Sequence, residues 1–248
     1  MEPWVALLAA AVGYLIGSFS FSRLVVRLAG PDTRVSRIEH PIPGTDEFFE
    51  SDAISATAVR FQLGARYGCL IAILDALKAA APALAFKVWQ PHADHYLIAA
   101  TTAIVGHNYP IYYRFKGGRG LATVYGGFFV LDWIGVLVTS TVGMVFGILT
   151  GRVLLIRWAG LLLMIPWIWF RTHDGAQLLY VLLANALFWK AMLPELRQYF
   201  RLRREDKLPS EQELAEFMGM GSMYRVAHQF TIRSLLAKLG SRSDREPN

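Results

Sequence analysis

The sequence predicts an all-α integral membrane protein of seven transmembrane helices, with the amino terminus outside and the carboxyl terminus in the cytoplasm. Three observations predict it. Hydrophobic residues make up 54% of the 248-residue chain and charged residues 18%, with a mean hydropathy of +0.35, which leaves too little polar surface to clothe one soluble domain. Several apolar runs reach the roughly 20 residues that a helix needs to cross the hydrocarbon core. The basic residues are also lopsided. Of 25 Lys and Arg, only Lys87 and Arg171 fall in turns on one side and Lys78 lies within a span, so the positive-inside rule assigns the other loops and the tail to the cytoplasm.

Taken in order, the first helix runs from Trp4 to Leu28, with Trp4 near one interface and Arg23 and Arg27 at the other. No basic region precedes it and no small-residue cleavage site follows, so it reads as a retained helix and not as a signal peptide. Gly13, Gly17, Ser18, Ser20 and Ser22 give it a small-residue face suited to close packing. From Ala29 to Arg66 the chain is polar and interrupted by Pro31, Pro41, Pro43 and Gly44, a length at which loops are often functional. Within it, Ser51 to Leu63 reads as a short helix at the membrane surface, capped by Ser51 or Asp52.

The second helix, Tyr67 to Trp89, places Asp75 and Lys78 on one face. Ionisable groups inside a span are costly, so they are either functional or a mutual ion pair that fixes packing. The lone Cys69 excludes a disulfide framework and reads as packing. The third helix, His95 to Tyr113, carries His107 and ends in Tyr109, Tyr112, Tyr113 and Phe115, an aromatic belt. The apolar stretch from Leu121 to Thr150 is too long for one crossing and too short for two, so Asp132 marks a break between a short fourth helix and a fifth. The sixth spans Val153 to Phe170 and the seventh Ala176 to Leu193. The membrane unit is thus residues 1–196, followed by a basic cytoplasmic tail, 197–248. The tail holds a capping box, Ser210 to Glu213, and an amphipathic stretch, Phe230 to Leu239, suited to an anionic bilayer surface or to the protein itself.

The chain is organised around Gly106 to Thr123, where an apolar helix runs into Lys116-Gly117-Gly118-Arg119-Gly120. Glycines let the backbone approach a ligand closely, and two cations beside the start of a new helix suit an anion. The same string also fits a tight, positively charged turn between membrane helices.

These blocks, in this order, resemble the bacterial membrane glycerol-3-phosphate acyltransferases of the PlsY type. Tyr14-Leu15-Ile16-Gly17-Ser18 with Phe21-Ser22 is similar to the opening helix of that family. Leu63-Gly64, Tyr67-Gly68 and Leu74-Asp75 with Lys78 are similar to its second, and Gly106-His107, Pro110 and Phe115 to Thr123 to its central block. The resemblance covers about the first 195 residues. It implies a seven-helix fold that joins an acyl chain from acyl phosphate, or acyl-CoA, to the 1-hydroxyl of glycerol 3-phosphate, yielding lysophosphatidic acid for phospholipid synthesis in the bacterial inner membrane. No metal, cofactor or nucleic acid is implied. Arg119 and Ser51 become the catalytic residues, and Lys116, Gly117, Gly118, Arg119, Gly120, Thr57, Arg60 and His107 the phosphate-binding set. Both substrates are anionic and one is lipid-borne, so such a site needs cations beside an apolar groove. Acyl phosphate is already activated, and positioning without a protein nucleophile suffices.

The chain departs from the family pattern at Glu50, Asp52 and Ser55, where glycines belong, and at Ala53 and Ala58, where asparagines belong. The family arginine falls on Phe61 beside Arg60, its serine on Leu154, and its terminal His and Asn on Ala191 and Pro194. Alternative expectations are therefore a non-catalytic divergent member, binding a partner protein through its tail, and a transporter of phosphorylated lipid working through Asp75 and Lys78.

Overall fold

The structure is a computed structural model, and it describes residues 2–29, 38–42, 46–232 and 234. It is predominantly helical, with one addition that an all-α reading omits. An antiparallel hairpin pairs β1 (Ile38–Pro41) with β2 (Phe48–Ser51), Glu39 opposite Glu50. The first helix is two, α1 (Pro3–Gly17) and α2 (Phe21–Ala29). The break falls at Ser18, whose backbone N–H still reaches the Tyr14 carbonyl. Short serine side chains compete with the backbone for hydrogen bonds, which makes this a natural place for a helix to stop.

The surface helix is shorter than expected and differently capped. α3 is Ala56–Leu63, and the Ser55 hydroxyl, not Ser51 or Asp52, accepts the Ala58 N–H at its start. Ser51 lies instead at the end of β2. α4 (Ala65–Trp89) follows, with Pro82 inside it. α5 (His95–Asn108) ends before the aromatic belt, which forms a 3-10 turn at Ile111–Tyr113. Its 14 residues span about 21 Å at 1.5 Å per residue, short of the roughly 30 Å of hydrocarbon.

α6 (Leu121–Thr150) bends where the sequence indicated, since Asp132 has non-helical angles, φ −153° and ψ 94°. That carboxylate accepts from the Trp167 indole at 2.8 Å and pairs with Arg171 at 2.7 Å, both on α7 (Val153–Thr172). α8 (Gly175–Arg204) runs well beyond Leu193 and passes unbroken through residues 196–197. Among the described residues, five helical segments are long and apolar enough to cross a membrane: 3–29, 65–89, 121–150, 153–172 and 175–204. Cys69 is exposed on α4 and not packed inside.

After α8 the chain folds back onto the bundle. Ser210 and Glu213 form the expected capping box at the start of α9 (Glu211–Phe217). Glu211 pairs with Arg152 and accepts the Val153 N–H at 2.9 Å, and Tyr224 on α10 (Gly221–Ala227) donates to the Gly151 carbonyl at 3.1 Å. Phe217 stacks edge-on against Phe49, 4.6 Å between centroids, in a cluster with Ile42 and Leu202. The tail up to residue 232 thus lies against the protein itself, while most of the Phe230 to Leu239 stretch falls outside the described residues.

α1 and α5 meet backbone to backbone at Gly17 and Gly106, where any Cβ on Gly106 would strike the Tyr14 carbonyl and Ser18 N–H. Gly106→Val is expected to cost about 3 kcal/mol, an overpacking effect at the upper end of the usual range. The check is a lower midpoint of thermal unfolding in detergent, or loss of the monodisperse peak.

Candidate functional site

The site forms where α5 ends and α6 begins. The backbone N–H of Gly118 donates to the His107 carbonyl at 3.2 Å, and the Ile54 N–H donates to the Gly117 carbonyl at 3.3 Å. A Cβ on Gly118 would collide with the His107 ring. These two glycines therefore serve the close packing of the turn against α5 and the 52–55 loop, with the Gly118 N–H and the Gly117 carbonyl engaged within the protein. Gly120 has φ 82°, the left-handed conformation that launches α6 from the turn.

This folding presents Arg119 to the end of α8. Its Nε donates to Glu195 Oε1 at 2.8 Å, and its Nη2 bonds both Glu195 and Asp52, the latter at 2.7 Å. The Ser51 hydroxyl donates to the same Glu195 oxygen at 2.8 Å. Glu195 is buried and Asp52 exposed.

Beside this cluster lies a cavity of about 290 Å³. Its lining combines polar side chains, among them Ser51, Thr57, His107, Arg119, Arg157 and Glu195, with apolar ones, among them Leu121, Trp158, Phe188, Met192, Phe217 and Met218. A cavity lined by both charged and oily side chains suits an amphiphile. Arg157, on the second turn of α7, donates to the Met218 carbonyl at 2.9 Å and lies 3.5 Å from the Thr57 hydroxyl.

Of the site residues expected from sequence, the structure brings Ser51, Thr57, His107, Arg119 and Gly120 to this cavity. Lys116 is exposed and away from its lining, its carbonyl accepting from Arg23 at 2.9 Å. Arg60 also lies outside the lining, with its guanidinium beneath Gly219. Asp75 and Lys78 form a buried ion pair at 2.9 Å, with His107 Nδ1 3.7 Å from the same carboxylate and Lys78 donating to the Phe19 carbonyl at 3.0 Å. That is the mutual-pair reading, with the carboxylate also touching the cavity wall.

Sequence reasoning missed Glu195 and Arg157. Glu195 follows Pro194, beyond where hydropathy ended the last helix, although an acid one residue past an apolar run was a signal. Arg157 stands four residues into the helix, inside the span that hydropathy predicted, and lines the cavity.

Residues 7–197 match the family profile described as Glycerol-3-phosphate acyltransferase. Among curated relatives with that description, the Legionella pneumophila (strain Corby) protein is 33% identical over 132 residues, 52% of this chain and 43% of the relative. The Aquifex aeolicus protein is 33% identical over 129 residues, 51% of this chain and 60% of its own. That of Anaeromyxobacter sp. (strain K) is 40% identical over 131 residues, 51% and 58% respectively. The chain spans about half the length of the curated relatives it matches. Its fold is similar to two crystal structures of PlsY, an integral membrane glycerol 3-phosphate acyltransferase, in the glycerol 3-phosphate and lysophosphatidic acid forms. TM-scores are 0.64 and 0.65 at 24% identity, covering 82% of this chain and 94% of the other.

Truncating Glu195 to Ala is expected to destabilise the protein by about 3 kcal/mol, since it strips a largely buried guanidinium of its better carboxylate. Asp52→Asn, at an exposed partner, is expected to change stability by less than about 1 kcal/mol. Chemical denaturation of the two variants in detergent checks the contrast.

Proposed function

The chain belongs to the glycerol-3-phosphate acyltransferase family, and from that premise we propose that it moves a fatty acyl chain from acyl phosphate to the 1-hydroxyl of glycerol 3-phosphate. The acceptor hydroxyl oxygen bonds to the acyl carbon, the bond from that carbon to the phosphate oxygen breaks, and the hydroxyl proton leaves with inorganic phosphate. Lysophosphatidic acid is the lipid product.

The observation that supports this reading is a cavity in which apolar side chains adjoin Arg119, Arg157, Ser51, Thr57 and His107. The chain of the donor lies along Trp158, Phe188 and Met192, and the reacting carbonyl at Arg119, whose remaining N–H groups stabilise charge gathering on its oxygen. Ser51, Thr57 and His107 hold phosphate oxygens and the attacking hydroxyl in line, so that proximity supplies most of the rate. Lys116 and Arg60 lie outside the cavity lining, and on this reading they draw anions toward its mouth.

The reading includes seven crossings, counting α5 with its following turn and the two halves of α6, with the amino terminus outside. It sets the active face at the cytoplasmic surface of the bacterial inner membrane, with residues 1–196 as the membrane unit and 197–248 as a basic tail. Support comes from the lopsided Lys and Arg and from the kink at Asp132.

Purified protein given long-chain acyl phosphate and glycerol 3-phosphate is expected to release lysophosphatidic acid and phosphate. Arg119→Ala is expected to lower kcat at least about 100-fold, the scale of losing a donor to a developing oxyanion. Background turnover with both acyl phosphate and acyl-CoA would remove the proposal.

One observation favours a second reading, a non-catalytic membrane-embedded binding protein. Arg119 is ion-paired to both Asp52 and Glu195. On that reading Arg119→Ala leaves the cellular phenotype intact, whereas deletion of residues 202–248 abolishes it. Complementation of a strain lacking its own acyltransferase separates the two.

A further inference from the structure

Two arginines line the cavity, and their circumstances are opposite. Arg119 faces two carboxylates, so its corner carries a net negative charge before any ligand arrives. Arg157 has only neutral partners among the described residues: the Met218 carbonyl, the Met220 sulfur at 4.0 Å and the Thr57 hydroxyl. A guanidinium offers five N–H donors in a planar fork, and these three contacts leave two unengaged. A second cation, Arg60, stands on the other side of the turn at Met218. It lies under Gly219, so the Met218–Gly219 turn is gripped between the two guanidinium groups. A half-buried cation on a cavity wall, uncompensated and with donors to spare, is a standing demand for an anion.

We propose that Arg157 is the phosphate anchor of the cavity, forking the terminal phosphate of glycerol 3-phosphate while Thr57 bonds a third oxygen. The proposal rests on the acyltransferase reading only for the identity of the phosphomonoester. It gives Arg157, a residue of α7, the charge that the 50–61 loop lacks where Phe61 stands. Met218 holds the fork in its plane, so the segment after α8 shapes the subsite.

The test is calorimetric titration of sn-glycerol 3-phosphate into the purified full-length protein, with glycerol as the neutral control. Wild type is expected to bind glycerol 3-phosphate and not glycerol, and Arg157→Gln to weaken that binding at least about tenfold, the scale of a lost charge-assisted pair. In turnover, the same variant is expected to raise KM for glycerol 3-phosphate and leave KM for acyl phosphate unchanged. If Arg157→Gln does not fold, Arg157→Lys decides, since a point charge cannot reproduce the fork and is expected to bind several-fold more weakly. Unchanged affinity in the variant that folds, no binding by wild type, or a rise confined to the acyl phosphate KM would each overturn the assignment. Arg157-dependent binding without any lysophosphatidic acid formed would keep the anchor and remove the acyltransferase reading.

Discussion

The site depends on one buried carboxylate. Glu195 accepts hydrogen bonds from Ser51, 144 residues away in sequence, and from Arg119, 76 residues away, on the same oxygen. It thereby ties the hairpin, the glycine turn and the last long helix to one point. In a low-dielectric surround an ionised carboxylate without its cation costs several kcal/mol, and the reverse is equally true, so neither partner moves without the other. Three segments distant in sequence are thereby held at one wall of the cavity, and holding groups in place is what the proposed chemistry asks of them.

The same interaction limits what Arg119 can contribute. A guanidinium facing two carboxylates no longer attracts anions over distance, because their charge outweighs its own. Its N–H groups still point where they are held, and a fixed dipole next to a developing oxyanion is useful without net charge. Attraction and orientation are then separate tasks, and the cavity has a separate cation for the first. Arg157 and Arg60 supply the field on the α7 side, whereas Arg119 supplies geometry on the α8 side. An amphiphile entering such a cavity is oriented by charge before it is positioned by contact.

Much of the scaffold was legible because hydropathy and a few local signals speak plainly in a membrane chain. Asp132 inside an apolar stretch marked the kink, and Ser210 with Glu213 marked the start of α9. What failed was decided by partners distant in sequence. The hairpin lies in a polar stretch with no alternating pattern, and Gln198 on α8 bonds it through the Glu50 N–H and the Phe48 carbonyl. α8 outruns its apolar face because leucine, glutamine and arginine continue a helix readily once water replaces lipid. Ser51, Thr57, His107 and Arg119, singled out from the motif, line the candidate cavity. Glu195 and Arg157 were not singled out, since their importance comes from facing a cavity that only the folded chain encloses.

The departures from the family pattern and the segment beyond residue 197 are best understood together. An acid at position 52, where a phosphate loop wants glycine, adds a negative charge facing Arg119. A site that still has to receive phosphate must then find positive charge elsewhere, and α7 supplies it at Arg157. A cation there needs a neutral partner that steadies it without cancelling it. A backbone carbonyl does this, and Met218, twenty-one residues past the family match, provides one. The wall formed by Phe217 and Met218 is therefore coupled to the altered loop through charge: remove the acid and the extra cation is unnecessary, remove the cation and the docked turn has nothing to hold.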